Sequence, residues 1–170
     1  MLEKLIPYFS SFKASPMYFS EAFKLEEKME ESEYDIIKVS TKEHCAKLFD
    51  ILSSIDEFGY KSKSKEKYIE AKYNSLHMGS TYFIEEDGKI ISTVSTTADT
   101  TISAMVVAVA TLESARNRGL ASILMKHLMY EYLEVKGKYL CLFYDNPKAG
   151  NIYKRLGFKD VDRWIMSKKE

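Results

Sequence analysis

From Tyr34 onward the apolar residues fall into alternating strand-like and helical periods, and these periods predict the elements. Tyr34–Val39 reads as a strand. Thr41-x-x-His44 opens a helix through Ile51, with Ala46, Leu48, Phe49, Ile51 and Leu52 as its apolar set. Lys63–His77 predicts a second helix with Tyr68, Ile69, Tyr73 and Leu76 on one side. Thr81–Glu86 and Lys89–Thr97 predict two strands joined by Asp87-Gly88, a hairpin turn because glycine admits positive φ. Ile102–Ala110 is a nearly continuous run of small and β-branched residues, the mark of a strand buried on both faces. Leu120–Val135 carries Leu120, Ile123, Leu124, Leu128, Tyr132 and Leu133 at helical spacing and ends at Gly137. Lys138–Tyr144 predicts a short aromatic-rich strand. Asn146 is an N-cap with Pro147 at the first helical position, and that helix runs to Leu156 and stops at Gly157. Phe158–Met166 is the final strand. The order β-α-α-β-β-β-α-β-α-β predicts an α/β fold, α+β in detail, with a mixed sheet.

Residues 1–32 stand apart from this order. Leu2, Leu5, Ile6 and Phe9 form one short amphipathic stretch and Phe19, Phe23 and Leu25 another, and Glu26–Glu33 is mostly acidic. They read as an N-terminal extension, helical in part, followed by a single domain over 33–170. Tyr8, Phe9, Phe12, Tyr18 and Phe19 predict a docking surface there, either intramolecular or across a homodimer.

Composition narrows the class. The 170 residues are 45% hydrophobic and 29% charged, the balance of one globular domain with its own core. Lysine plus arginine number 25 and aspartate plus glutamate 25, so the net charge is zero and a nucleic-acid partner is not expected. The alternating Lys61, Lys63, Lys65 and Lys67 read as a solvated surface. No apolar run approaches the roughly 18 residues that a spanning helix needs, and the early Glu3 and Pro7 argue against a signal peptide, so no membrane association is expected. Cys45 and Cys141 form no CxxC pair, and with no secretory signal they read as free thiols in a cytoplasmic protein. His44, His77 and His127 lie on separate elements without metal-ligand spacing, so no metal is expected.

The chemistry concentrates between Val106 and Phe158. Ala115-Arg116-Asn117-Arg118-Gly119-Leu120-Ala121-Ser122 joins the buried strand to the long helix. Such a loop aims free backbone N–H groups at one point, at the positive end of a helix dipole. Gly119 and Ala121 leave the backbone uncovered and Arg116 and Arg118 add charge, which suits a phosphate or pyrophosphate. Neither Gly-x-x-x-x-Gly-Lys-Ser/Thr nor Gly-x-Gly-x-x-Gly occurs here, so the pattern is neither a mononucleotide P-loop nor a dinucleotide fingerprint.

Arg-x-x-Gly-x-Ala instead resembles the pyrophosphate-binding pattern of the GNAT superfamily of N-acetyltransferases. The run Asn146-Pro147-Lys148-Ala149-Gly150-Asn151-Ile152-Tyr153-Lys154-Arg155-Leu156-Gly157-Phe158 resembles that family's second signature, Asn-x-x-Ala-x-x-x-Tyr-x-x-x-Gly-Phe. Ala149 and Tyr153 fall one helical turn apart and share a face. The resemblance covers Tyr34 to Met166 and implies acetyl-CoA as co-substrate. It places backbone groups of Val107 and Val109 on the pantetheine arm and the amides from Arg118 to Ser122 on the pyrophosphate. It also places Asn146 and Asn151 near the arm, and Tyr153 near the thioester.

The implied reaction is direct transfer of the acetyl group to a primary amine, small molecule or peptide, with Tyr153 as general acid. The expected strand carries no acidic residue, so Asp99, Glu113 and Asp145 are three unranked candidates for a base. The alternative is a catalytically weak sensor or interaction module that binds CoA or acetyl-CoA. The identity of the acceptor is not legible from the sequence, because acceptor specificity resides in variable loops.

Overall fold

The computed structural model describes residues 12–26, 32–60 and 63–169. Seven strands and four helices alternate as β1 (Phe12–Ala22), β2 (Ile37–Lys38), α1 (Lys42–Ser54), α2 (Lys65–Asn74), β3 (Thr81–Glu86), β4 (Lys89–Thr97), β5 (Ser103–Thr111), α3 (Leu120–Met129), β6 (Tyr139–Tyr144), α4 (Pro147–Arg155) and β7 (Lys159–Lys169). They build one mixed sheet in the order β2-β3-β4-β5-β6-β1-β7, in which only β5 and β6 run parallel.

Local chemistry explains most boundaries. Thr41 accepts the His44 N–H at 3.0 Å and starts α1; Ser64 accepts from Lys67 at 3.3 Å and starts α2. Asn146 accepts from Lys148 at 3.0 Å, with Pro147 in the first turn of α4. Asp87 and Gly88 both adopt positive φ, 50° and 76°, the primed turn whose twist matches an antiparallel hairpin. After Met129 the third helix widens into a π-helical turn, Tyr130–Val135. There the Tyr132 hydroxyl meets Thr96 at 2.8 Å and donates to Asp99 at 2.9 Å.

Successive residues of β3 face opposite layers. Tyr82 and Ile84 pack with α3 and α4 residues such as Leu124, Leu128 and Tyr153, whereas Phe83 packs with Cys45, Leu48 and Leu52 of α1. Helices therefore cover both faces. Cys45 and Cys141 are free thiols, and burial pushes both above the usual thiol range. Among the described residues no helix is long and apolar enough to cross a membrane.

The expectation of a partly helical extension over residues 1–32 is corrected at Phe12–Ala22, which is a strand inside the sheet. It pairs antiparallel with β6 from Tyr18↔Tyr144 to Ala22↔Leu140, and with β7 from Phe12↔Lys169 to Glu21↔Lys159. The slot between β6 and β7 supplies hydrogen-bonding partners on both sides, and that tertiary pairing overrides a weak local helical period. Pro16 opposes a helix interior, and it lies where β1 has only β7 beside it. The amphipathic stretch Leu2–Phe9, the acidic residues 27–31 and Lys61 lie outside the described residues.

A carboxylate pins this slot. Asp160 of β7 accepts from the Ser20 hydroxyl at 2.5 Å, from the Tyr144 hydroxyl at 3.0 Å and from Lys154 at 2.9 Å, joining β1, β6, α4 and β7. Burial raises its pKa, but these donors outweigh it and hold the carboxyl below the usual aspartate range.

Candidate active site

The site begins where two parallel strands part. β5 and β6 pair from Ser103↔Tyr139 to Val106↔Leu142, yet β5 continues to Thr111 and β6 to Tyr144. Beyond Val106 the facing edge of β5 has no strand beside it. Val107, Ala108 and Val109 are accordingly half-buried between the buried Val106 and Ala110, which corrects the expectation of a strand buried on both faces throughout.

A bulge sharpens this opening. Between the pairs Thr93↔Ala110 and Ser95↔Val107, β4 advances two residues while β5 advances three. Ala108 inside that step has φ 52°, a left-handed conformation that costs a residue with a Cβ about 1–3 kcal/mol. The extra residue re-aims backbone groups at the open edge. Sequence reasoning missed Ala108, because alanine gives no sign of a left-handed site.

Nine residues beyond Ala108, the chain turns into α3 through two more left-handed residues, Asn117 (φ 64°) and Gly119 (φ 76°). Gly119 is the N-cap and offers no side-chain acceptor, and the first intrahelical bond is Ile123 N–H to Gly119 at 3.0 Å. The N–H groups of Leu120, Ala121 and Ser122 therefore precede that ladder and stand free for an anion. Leu120 is buried and anchors the turn, while Arg116 to Gly119 are exposed.

The three arginines here differ. Arg118 is bound by Glu86 through both terminal guanidinium nitrogens, with Nη1 to Oε2 at 3.0 Å, and its Nη2 also reaches the Tyr34 hydroxyl at 3.3 Å. Its charge is already balanced; the Glu86 carboxyl is held below its usual range by this hydrogen bonding. Arg116 makes one long contact to the Thr111 carbonyl, 3.4 Å. Arg155, at the end of α4, donates to the Ser122 hydroxyl at 2.9 Å and brings a third cation to the loop. That approach spans 33 residues and has no local signal in the chain.

The second motif meets the first through the core. Val109, Leu120, Ile123, Ala149 and Tyr153 belong to one apolar cluster. Tyr153 is only 7% exposed, with its ring edge-on to Tyr144 at 5.7 Å and Phe158 at 6.0 Å. Its hydroxyl has no hydrogen-bond partner among the described residues. The one fully buried, unpartnered side-chain oxygen among them is Ser53 Oγ, so the Tyr153 hydroxyl still opens onto accessible space. Burial, and then the charge of Glu57, push the phenol up to about 12. Asn146 and Asn151 are exposed on α4, and Asn146 spends its side-chain oxygen on the cap.

The base candidates separate clearly. Asp99 lies before β5, at the opposite end from the opening, and is held by Lys138 at 2.5 Å and by Tyr132. Asp145 is exposed. Glu113 lines a cleft of about 700 Å³ between the end of α1 and the loop after β5, where Ser54 and Glu57 face Leu112 and Arg116. Among the described residues no group of three or more His, Cys, Asp and Glu is placed to hold a metal ion.

The sequence from 45 to 158 matches the model of the acetyltransferase (GNAT) family, more than half of the chain. The chain belongs to the GNAT acetyltransferase family. Solved structures agree on the fold. A GNAT-family protein from Novosphingobium aromaticivorans is 15% identical with a TM-score of 0.71, covering 92% of this chain and 66% of that one. A GCN5-related N-acetyltransferase from Kribbella flavida is 19% identical with a TM-score of 0.70, covering 98% and 62%. A chain from Clostridium acetobutylicum, described as a predicted acetyltransferase with acetyl-CoA, is 18% identical with a TM-score of 0.62, covering 75% and 91%. This chain therefore spans 66% and 62% of the length of the first two. No curated protein matches the sequence.

The family is one of acetyltransferases, and the residues present would fit acetyl-CoA. The free edge of β5 at 107–109 offers amide groups to an extended arm, and the N–H groups of 120–122 with Arg116 and Arg155 suit phosphates.

Proposed function

We propose that this GNAT chain is an N-acetyltransferase that moves the acetyl group of acetyl-CoA to a primary amine by direct attack. The observation that carries this reading is the opening of β5 from β6 at Val106↔Leu142, with the Ala108 bulge on its rim and an unpartnered tyrosine hydroxyl in the same cluster. Acetyl-CoA supplies an acetyl group activated as a thioester. Backbone amides of Val107 and Val109 hold the arm, and the loop from Arg116 to Ser122 holds the phosphates. An N–H at the bulge is suited to stabilise a developing oxyanion.

Tyr153 donates a hydrogen bond to the leaving sulfur. A phenol at about 12 holds its proton more tightly than a thiol, whose reference value is about 8.5. It therefore gives up its proton only as it receives another from the attacking nitrogen. That relay favours an enzyme over a silent CoA sensor, because a sensor has no use for a buried, unpartnered hydroxyl at the opening.

The test is thermal unfolding with and without acetyl-CoA. Ligand at about 100 times its Kd adds roughly 2.7 kcal/mol, a rise of about 5–11 °C for a domain of this size. Gly119→Glu, which forces a side chain and a negative charge onto a left-handed cap, should abolish the rise. A folded wild-type protein with no shift refutes the reading.

A further inference from the structure

We propose that Glu86 competes with the phosphates of acetyl-CoA for the Arg118 guanidinium, and so weakens this chain's hold on substrate and product alike. This rests on the acetyl-transfer reading above.

Arg118 stands at the mouth of the anion loop. Only Gly119, the cap of α3, separates it from the free N–H of Leu120, and its side chain is 36% exposed. An anion held by the N–H groups of 120–122 therefore lies within reach of its flexible stem. The guanidinium is taken up instead by β3. Both terminal nitrogens bond the Glu86 carboxylate, Nη1 to Oε2 at 3.0 Å, and Nη2 also donates to the Tyr34 hydroxyl at 3.3 Å. The cation lies over the Tyr34 ring as well, 5.4 Å from its centroid.

Both partners are fixed by the fold. Glu86 ends β3 directly before the left-handed Asp87-Gly88 turn, and Tyr34 packs against the core cluster built with α3 and α4. Hydrogen bonding to Arg118 holds the Glu86 carboxyl below its usual range, so it is ionised at neutral pH. A carboxylate and a phosphate present the same pair of oxygens to the guanidinium fork, and a fork filled by one is closed to the other. The neighbouring cations are held differently. Arg116 donates to the Thr111 carbonyl and Arg155 to the Ser122 hydroxyl, neutral acceptors that leave each charge available.

This competition has a use in turnover. Acetyl-CoA and CoA carry the same phosphates, so a phosphate contact binds substrate and product equally and does nothing for the chemical step. Each such contact also delays the departure of CoA. Glu86 offsets the strongest side-chain contact the loop could make, and leaves the phosphates to the N–H groups of 120–122, Arg116 and Arg155.

The experiment is calorimetric titration of acetyl-CoA and of CoA into wild type, Glu86→Gln, Arg118→Gln and the double variant, at about 0.1 M and about 1 M salt. Glutamine keeps the shape of Glu86 and removes its charge. The pair is exposed, so all four proteins should fold, which thermal unfolding without ligand checks. Glu86→Gln should lower both Kd values by roughly 3- to 30-fold at the lower salt, as a charge-assisted bond to phosphate replaces an exposed ion pair. The factor should be the same for the two ligands. It should shrink at the higher salt, where the Debye length is about 3 Å. In the Arg118→Gln background the same change at Glu86 should leave Kd within about twofold. Unchanged or weaker binding by Glu86→Gln would overturn the proposal, because Glu86 would then only brace the loop. A gain confined to acetyl-CoA, a gain indifferent to salt, or a gain that survives the loss of Arg118 would overturn it too. A wild type that binds neither ligand fails the proposed function itself, whereas a wild type that binds both leaves that reading standing whatever Glu86→Gln does.

Discussion

Tyr153→Phe separates stability from activity, because the hydroxyl it removes has no partner in the fold. A hydrogen-bonded buried hydroxyl contributes about 0.5–1.5 kcal/mol, and an unsatisfied one costs about 1–3 kcal/mol. The Tyr153 hydroxyl is unpartnered but reaches accessible space, so deleting it should change stability by between zero and about +1 kcal/mol. That corresponds to a Tm equal to wild type or higher by up to about 4 °C. The ring contacts with Tyr144 and Phe158 survive in phenylalanine. The rate should fall about 10²- to 10⁴-fold, the usual yield of a positioned proton donor, or about 2.7–5.4 kcal/mol in activation free energy. Acetyl-CoA affinity should hold, because the loop at 116–122 and the β5 edge are untouched. The pH profile carries a second signature. The phenol is a donor below its pKa and is lost only as pH rises through about 12, so wild type should show no alkaline fall from Tyr153 below about pH 10. Thiol-release kinetics, calorimetric titration and thermal unfolding on the same preparations measure all three. A variant that keeps its rate, or one that loses more than about 1 kcal/mol of stability, refutes the assignment of a free catalytic hydroxyl.

Two further substitutions probe the frame. Gly150→Ala places a Cβ 2.3 Å from Tyr144 Cε2 and 2.8 Å from its Cζ. The helix gains about 1 kcal/mol in propensity, but overpacking costs about 1–3 kcal/mol, and Tyr144 cannot swing away because its hydroxyl is held by Asp160 and its ring stacks on Tyr18 at 5.2 Å. The Tm should therefore fall, and a rise would mean that the ring yields. Asp160→Asn should cost about 1–3 kcal/mol at pH 7 through its charged hydrogen bonds. The folded pKa is depressed, so this contribution is present above the unfolded value of about 3.9 and fades as pH falls through the folded value. Urea midpoints of wild type and variant should differ at pH 7, and the gap should narrow as pH falls below the unfolded value of about 3.9; a constant gap would show that the charge is not the cause.

The legible parts of the fold are those whose signals are local. The Asp87-Gly88 hairpin, the Thr41 and Asn146 caps and the helical period after Gly119 each act within a few residues, and the structure has all of them. β1 was not legible, because its partners lie more than 110 residues away in β6 and β7 and its sequence, Phe-Lys-Ala-Ser-Pro-Met-Tyr-Phe-Ser-Glu-Ala, lacks strict alternation. The site divides along the same line. The anion loop and Tyr153 belong to contiguous motifs. The Ala108 bulge and the Arg155 approach to Ser122 arise from strand registry and from a contact across 33 positions. The sequence shows the charge of Arg118 but not Glu86, which holds it.

The N-terminal strand and the opening are one construction. A strand is stable with unpaired backbone on one edge if the other edge is fully bonded. Past Leu142, β6 has left β5, so Phe143 and Tyr144 have strand partners only in Phe19 and Tyr18 of β1. Ring contacts reinforce that single edge, Phe19 to Phe143 at 4.9 Å and Tyr18 to Tyr144 at 5.2 Å, and Asp160 ties the same segment through Ser20 and Tyr144. Holding β6 from behind lets it part from β5 without fraying. The parting exposes the β5 edge, and α4 follows β6 directly, so the position of Tyr153 depends on the same support. Residues without any motif therefore set the geometry in which the motif residues work.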